Sequence, residues 1–446
     1  MIFERINIFP KLAVLLFAAI AFSCAQDDII FMQPGDSGVS NRPTRSEGSK
    51  YENVFLLYSA GYNNLSDEFD DDVQDILDSP LPDSRRNAIL IFSHRTKNAY
   101  NYTDKTSPTL THVYKGTDGS TVCDTVLVFD PGTPSVSKET LNSVLTYVKD
   151  TYPSESYGMM FSSHGTGWLP ALFKFGLSGS WKASVNDPDA SAYLYGQRQD
   201  GLPAVRSIGY EAAKNASAKE IDIRDFADAI PMHLDYLIFD ACLMGSIEVA
   251  YELKDKCGTL VISPAEILAE GMDYETLISY LMNDNGCDLI GFAENYYNFY
   301  NDPSRSSAYR SGTISVVDCS RLEALAETCK GIFETHRQQI ASLERVTSYV
   351  QKYYTQSAHK CFYDLEDIIL TCNVTSEDLT ELRGALEECI PYRASTQYIL
   401  GSVKVNNYSG LSMYLPLSAE KALNEYYTTL EWNKATGLIQ QQLIFK

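Results

Sequence analysis

Five apolar runs constrain what this chain can fold into: residues 52–60, 87–93, 157–163, 234–239 and 258–264 are each almost continuously hydrophobic. A strand with one wet face alternates apolar and polar residues. A strand buried on both faces does not, and such strands belong to parallel sheets covered by helices. Helical periodicity fills the intervals, at about 65–77, 137–151 (with Leu141, Val144, Leu145 and Val148 on one stripe), 218–230 and 246–256. Strand, helix, strand in that order is the pattern of a parallel sheet with right-handed crossovers. Residues 111–115 and 124–129 read as edge strands, and helices 274–282 and 289–300 with strand 312–317 close the unit. From Cys319 onward helices prevail, at about 320–341, 343–354, 363–371 and 376–389, before a late strand at 410–416 and a last helix near 421–432. The expectation is an α/β fold: a mostly parallel central sheet flanked by helices over 51–318, then a mainly helical C-terminal subdomain over 319–446.

Residues 1–23 stand outside that pattern. Arg5 and Lys11 flank an apolar run from Leu12 to Phe22, followed by Ser23 and Cys24. This is the layout of a bacterial signal peptide. Ala21-Phe22-Ser23-Cys24 resembles a lipobox, which implies lipidation of Cys24, and Gln26-Asp27-Asp28 resembles the export tag of surface lipoproteins. An extracytoplasmic lipoprotein, exposed on the outer membrane, is the expectation; ordinary cleavage to a soluble secreted protein is the alternative. Residues 24–50, rich in Gly, Ser, Pro and charge, read as a flexible tether. The net charge of -22 argues against a nucleic-acid partner.

Reactive groups collect beyond the carboxyl ends of parallel strands. Two stretches place candidates there: Ser162-Ser163-His164-Gly165-Thr166-Gly167-Trp168, and Phe239-Asp240-Ala241-Cys242-Leu243-Met244-Gly245. A cysteine followed at once by a helix meets a field that favours its thiolate. A histidine on the same sheet edge supplies the base or acid that a thiol nucleophile needs. Gly165 lets backbone N–H groups approach an oxyanion, and the Cys242 N–H offers a second donor. His94 also ends a strand and is the rival histidine; His112, His233, His336 and His359 read as surface or helix residues. Of ten cysteines none forms a Cys-x-x-Cys pair, and no His-x-x-x-His occurs, so no metal site is expected. The acidic run Asp67–Asp72 matches no EF-hand loop, which leaves calcium without a motif.

The two blocks, together with 53–59 and 410–416, resemble the signature stretches of the clostripain family of cysteine peptidases, over about 51–435. The resemblance implies a caspase-like fold and an endopeptidase that cuts protein or peptide substrates after Arg or Lys. Carried over, Cys242 is the nucleophile, His164 acts on the scissile group, and Asp240 lines the S1 pocket. Family members carry a Gly-Trp-x-Tyr-like element where this chain has Gly271-Met272-Asp273-Tyr274. A second acidic S1 residue comes from that region, with Glu266, Glu270 and Asp273 all open. The resemblance also implies a zymogen cut between the two blocks, where Lys174, Lys182, Arg198, Arg206 and Lys214 lie; Lys182 is the candidate. An inactive peptide-binding lipoprotein, and a cysteine hydrolase with non-basic P1 preference, are the competing readings.

Overall fold

All five apolar runs lie side by side at the centre of one nine-stranded sheet. The computed structural model describes residues 43–439 apart from 47, 98–103, 105, 172–204, 207–208, 210, 212–218, 284–285, 344–346, 355–360 and 417–419. The strands in chain order are β1 (Tyr51–Gly61), β2 (Asn87–Arg95), β3 (Thr109–Lys115), β4 (Thr121–Val128), β5 (Ser154–Ser162), β6 (Val205–Arg206), β7 (Leu234–Asp240) and β8 (Cys257–Ile262). They continue with β9 (Ile267–Leu268), β10 (Thr313–Asp318), β11 (Tyr363–Asp364), β12 (Tyr392–Ser395), β13 (Tyr398–Ile399), β14 (Val403–Lys404) and β15 (Ser412–Met413). The large sheet has the order β12-β10-β8-β7-β5-β1-β2-β3-β4. Its five central strands are parallel, and antiparallel strands extend both edges. This is a mostly parallel, helix-flanked, caspase-like sheet.

The central strands are apolar throughout because helices cover both faces. Phe55, Leu57, Tyr58, Phe92, Met160, Leu237 and Phe239 are fully buried, each worth roughly 1.5–3 kcal/mol of transfer free energy. Helix Lys138–Thr151 starts where the Ser137 side chain accepts from the Thr140 N–H, and it buries the expected stripe. Helix Ile223–Ala229 starts later than periodicity suggested, because Asp222 caps it by accepting from the Arg224 N–H.

Beyond Cys319 two expectations fail. Among the described residues of 343–354 there is no long helix. A 3-10 turn, Thr347–Tyr349, is followed by extended chain in which Tyr353 N–H donates to Phe362 and Asp364 N–H to Gln351. The Asp367 carboxylate draws the Gln351 N–H at 2.5 Å, which spends on a side chain the donor a helix would need. Residues 392–395, unmarked in the sequence, form β12 and pair with β10. They are half-buried and polar, so no alternation betrays them.

The late block docks on the element that follows Cys242. Ser412 N–H donates to Gly245, and Glu248, on helix Ile247–Leu253, accepts from the Tyr414 N–H at 2.7 Å and the Tyr427 hydroxyl at 2.8 Å. Burial pushes the Glu248 carboxyl up to about 7 from its ordinary 4.5. A carboxyl that holds its proton more tightly when folded contributes stability that is present below pH 4.5 and lost as pH rises through 7. The melting temperature should therefore fall between pH 5 and 8, by the equivalent of ~3 kcal/mol. Glu248→Gln keeps the acceptor and should flatten that slope; an unchanged slope in the variant would remove Glu248 as its source.

Candidate active site

β5 and β7 are adjacent and parallel, with Ser162 opposite Asp240. Neighbouring strands lie ~4.8 Å apart. His164, two residues past Ser162, and Cys242, two past Asp240, therefore leave the same edge of the sheet side by side. His94 does not share that place. It ends β2, three strands from β7 and so about 14 Å away. Buried, it stacks on Tyr62, with Nδ1 3.6 Å from Glu211. Two of the other histidines are also inside rather than at the surface: His112 packs against Tyr114 and Tyr152, and His336 contacts Asp378 at 2.8 Å.

The loops after β1 and β5 fix the imidazole. Ser163 Oγ donates to the Ala60 carbonyl, and His164 Nε2 lies 2.8 Å from Asn64 Oδ1. An amide oxygen only accepts, so this contact calls for a proton on Nε2. Trp168, fully buried, anchors the far end of the loop between Tyr414 and Tyr427, with ring centroids 4.8 and 5.1 Å away. Asn64 and Tyr427 had no motif to mark them in the sequence.

The cysteine turn is not the start of a helix. Leu243–Ser246 separate Cys242 from helix Ile247–Leu253, whose cap is Ser246. The helix field fades within a turn, so it does not act on Cys242 in the way the sequence suggested. The backbone of the next strand's loop takes its place. Ile267 N–H donates to Cys242 Sγ at 3.1 Å, and the Ile267 carbonyl lies 3.6 Å from the sulfur. Leu243 is held at φ 62°, a left-handed conformation that costs a leucine about 1–2 kcal/mol. Two bonds hold it there, Leu243 N–H to Ala265 and Gly245 N–H to Ser263. Gly245 is required, since a Cβ would sit 2.3 Å from Pro264 N. The histidine loop closes on this turn at Gly167, where a Cβ would lie 2.6 Å from the Leu243 carbonyl.

Asp240 is fully buried below the cysteine. Its Oδ2 accepts from the Tyr274 hydroxyl at 2.7 Å and lies 3.4 Å from Ser162 Oγ. Tyr296, also buried, is held well above its ordinary phenol pKa by burial first, then by Tyr300, Asp240 and Cys242. Of the three open acidic residues, Asp273 caps helix Tyr274–Leu281 and bonds Asn295, and Glu270 pairs with Arg305. Glu266 alone is buried next to Ile267. Met272, in the place of a tryptophan, is buried too. Lys182 and Cys24 lie outside the described residues. In the acidic run Asp70 pairs with Arg95, and among the described residues no group of His, Cys, Asp and Glu is arranged to hold a metal ion.

β9, which carries Ile267, has an antiparallel partner in β6, with Arg206 opposite Ile267 and Val205 opposite Leu268. A main chain thus lies along the strand whose amide touches the thiol. The arrangement offers a sulfur nucleophile, an imidazole on the next strand, a buried carboxylate beneath, and a backbone edge for an extended peptide.

Residues 57–173 and 191–441 match the model of the clostripain family. Among solved structures the chain is similar to an inactive zymogen C11 protease from Parabacteroides distasonis, at 27% identity and TM-score 0.66, covering 88% of this chain and 99% of that one. It is similar to a secreted C11 cysteine protease from Bacteroides thetaiotaomicron, iotapain, at 25% identity and TM-score 0.65, covering 87% and 99%. A C11 cysteine protease from the same organism, solved with an irreversible peptide inhibitor, shares the fold at 23% identity and TM-score 0.67, covering 86% and 99%. No curated protein matches the chain.

Proposed function

The chain belongs to the clostripain family and is a cysteine peptidase, and from that premise we propose that Cys242 and His164 cut peptide bonds after Arg or Lys. The observation that carries the reading is the register of β5 on β7, which supports a dyad at one sheet edge. Cys242 Sγ attacks the scissile carbonyl. The Ile267 N–H, already on the sulfur, favours its anionic form. The oxyanion is received by the N–H groups at Gly165 and Cys242, and His164 passes a proton to the leaving amine. Water then hydrolyses the thioester and regenerates the thiol. Asp240, with the buried Glu266 as a second carboxylate, neutralises the P1 cation. Substrate main chain pairs with β9 by strand addition.

Panel hydrolysis tests this reading. Fluorogenic peptides with P1 Arg, Lys, Asp, Asn and Ala, with and without iodoacetamide, should show turnover of the basic members only, abolished by alkylation. Turnover of non-basic members alone would favour the reading that buried Met272 suggests, a differently shaped pocket. No turnover of any member would leave a peptide-binding protein.

The same site cuts its own linker. β6 lies on β9 where a substrate strand would lie, with Arg206 opposite the residue that touches the thiol, so Arg206 is a stronger candidate than Lys182. Intact-mass analysis should find the wild type split after Arg206, and Cys242→Ala and Arg206→Ala uncut. Cleavage that persists in Arg206→Ala and stops in Lys182→Ala would return the site to Lys182. The enzyme works outside the cytoplasm, held to a membrane by lipid on Cys24. Cys24→Ala should move it from the membrane to the soluble fraction.

A further inference from the structure

We propose that Cys257 and Cys319 form a disulfide that cross-links β8, the neighbour of the cysteine-bearing strand, to the sheet edge. Cys257 opens β8 and Cys319 directly follows β10, its antiparallel partner, in which Asp318 stands opposite Thr259. Carrying that register one residue further sets Cys319 against Gly258. A cross-strand spacing of ~5 Å and a rise of ~3.4 Å then put the two cysteine Cα atoms about 6 Å apart, inside the range a disulfide spans. The sulfurs are 3.7 Å apart and both residues are buried, at 1% and 4% exposure. A bonded pair needs ~2.05 Å, a closure that small side-chain rotations supply. Cys257 also has a carbonyl partner, Leu253 at 3.6 Å, as do Cys372 with Ile368 at 3.3 Å and Cys389 with Asp318 at 3.8 Å; what sets Cys257 apart is the Cys319 sulfur beside it.

The chemistry is exchange with a small disulfide such as oxidised glutathione, or with an envelope thiol oxidant. One thiolate attacks that disulfide, giving a mixed disulfide and one thiol. The second thiolate displaces the other thiol, so two cysteines are oxidised, one S–S bond of the donor is reduced, and both protons leave with the released thiols. Because both sulfurs are buried, the exchange happens before β10 docks. The bond closes a loop across 62 positions, which restricts the unfolded chain. It also takes two thiols out of competition with Cys242. In the cell the oxidant's supply rests on the extracytoplasmic reading; the test below does not.

The full wild-type chain is refolded with a reduced and oxidised glutathione mixture, or with dithiothreitol, then denatured, alkylated with iodoacetamide and peptide-mapped. The oxidised sample should lose two alkylations, at Cys257 and Cys319, and yield one linked peptide pair. Dithiothreitol should lower its melting temperature by about 5 °C or more. That drop should vanish in Cys257→Ser and in Cys319→Ser, with peptidase activity kept. Full alkylation of both cysteines after oxidative folding, or linkage of Cys319 to Cys389, would overturn the proposal. If the serine variants do not fold, the wild-type map decides alone. Loss of peptidase activity with the linked peptide present would count against the catalytic reading and leave the disulfide standing.

Discussion

Cys242→Ala is expected to lower kcat/KM on a P1-Arg peptide by about 10⁴-fold or more, to background, because the covalent route disappears with the sulfur. His164→Ala should fall almost as far, and the double variant no further than the worse single one. Residues acting as one unit are not additive. The variants are nicked in trans with a trace of wild-type enzyme, removed before assay, so that failure to self-cleave is not mistaken for failure to catalyse. Stability should fall, but by too little to unfold the chain. Replacing the thiol removes one partner of the Ile267 N–H, a cost of about 1–3 kcal/mol. A second readout separates the roles. In the wild type, alkylation of Cys242 near pH 7 should be fast; in His164→Ala it should slow. Asn64→Ala, which only orients the imidazole, should lose roughly 10-fold to 100-fold. More than a few per cent of activity in Cys242→Ala would sink the dyad.

The sheet was legible because strands buried on both faces announce themselves: residues 54–60, 88–92 and 236–239 carry no polar alternation, and each forms a central strand. The placing of His164 and Cys242 at one sheet edge followed from the same logic, since each comes two residues after a central parallel strand. What stayed hidden depends on pairing between distant residues. β12 is four half-buried, mostly polar residues whose strand character comes from β10 alone. The sequence set a helix directly after Cys242 and did not mark the turn at Leu243 that separates them. Ala265 and Ser263, on the neighbouring strand's loop, hold that turn. Asn64 and Tyr296 reach the site from two separate elements, and no spacing in the sequence relates them to Cys242.

Asp240→Asn should separate specificity from catalysis. Asparagine keeps the shape and an acceptor for the Tyr274 hydroxyl, and removes only the charge. If Asp240 receives the P1 cation, a charge-assisted contact of about 1.5–3 kcal/mol is lost. The guanidinium is also left in a desolvated site without its counter-charge, which raises the total toward 3–5 kcal/mol. P1-Arg hydrolysis should then fall about 10²-fold to 10³-fold, while P1-Ala hydrolysis, slow to begin with, stays where it is. Folding stability should hold or rise, because a fully buried carboxylate is costly to keep. The competing role for Asp240 is to prop Tyr274 against the floor of the site. That role makes the opposite prediction: asparagine would lower the activity on every substrate alike, and the Arg-to-Ala ratio would not move. Glu266→Gln distinguishes the two further. A pocket built on two carboxylates should lose Arg turnover again in the double variant, whereas a propping aspartate gives Glu266 no reason to matter for P1.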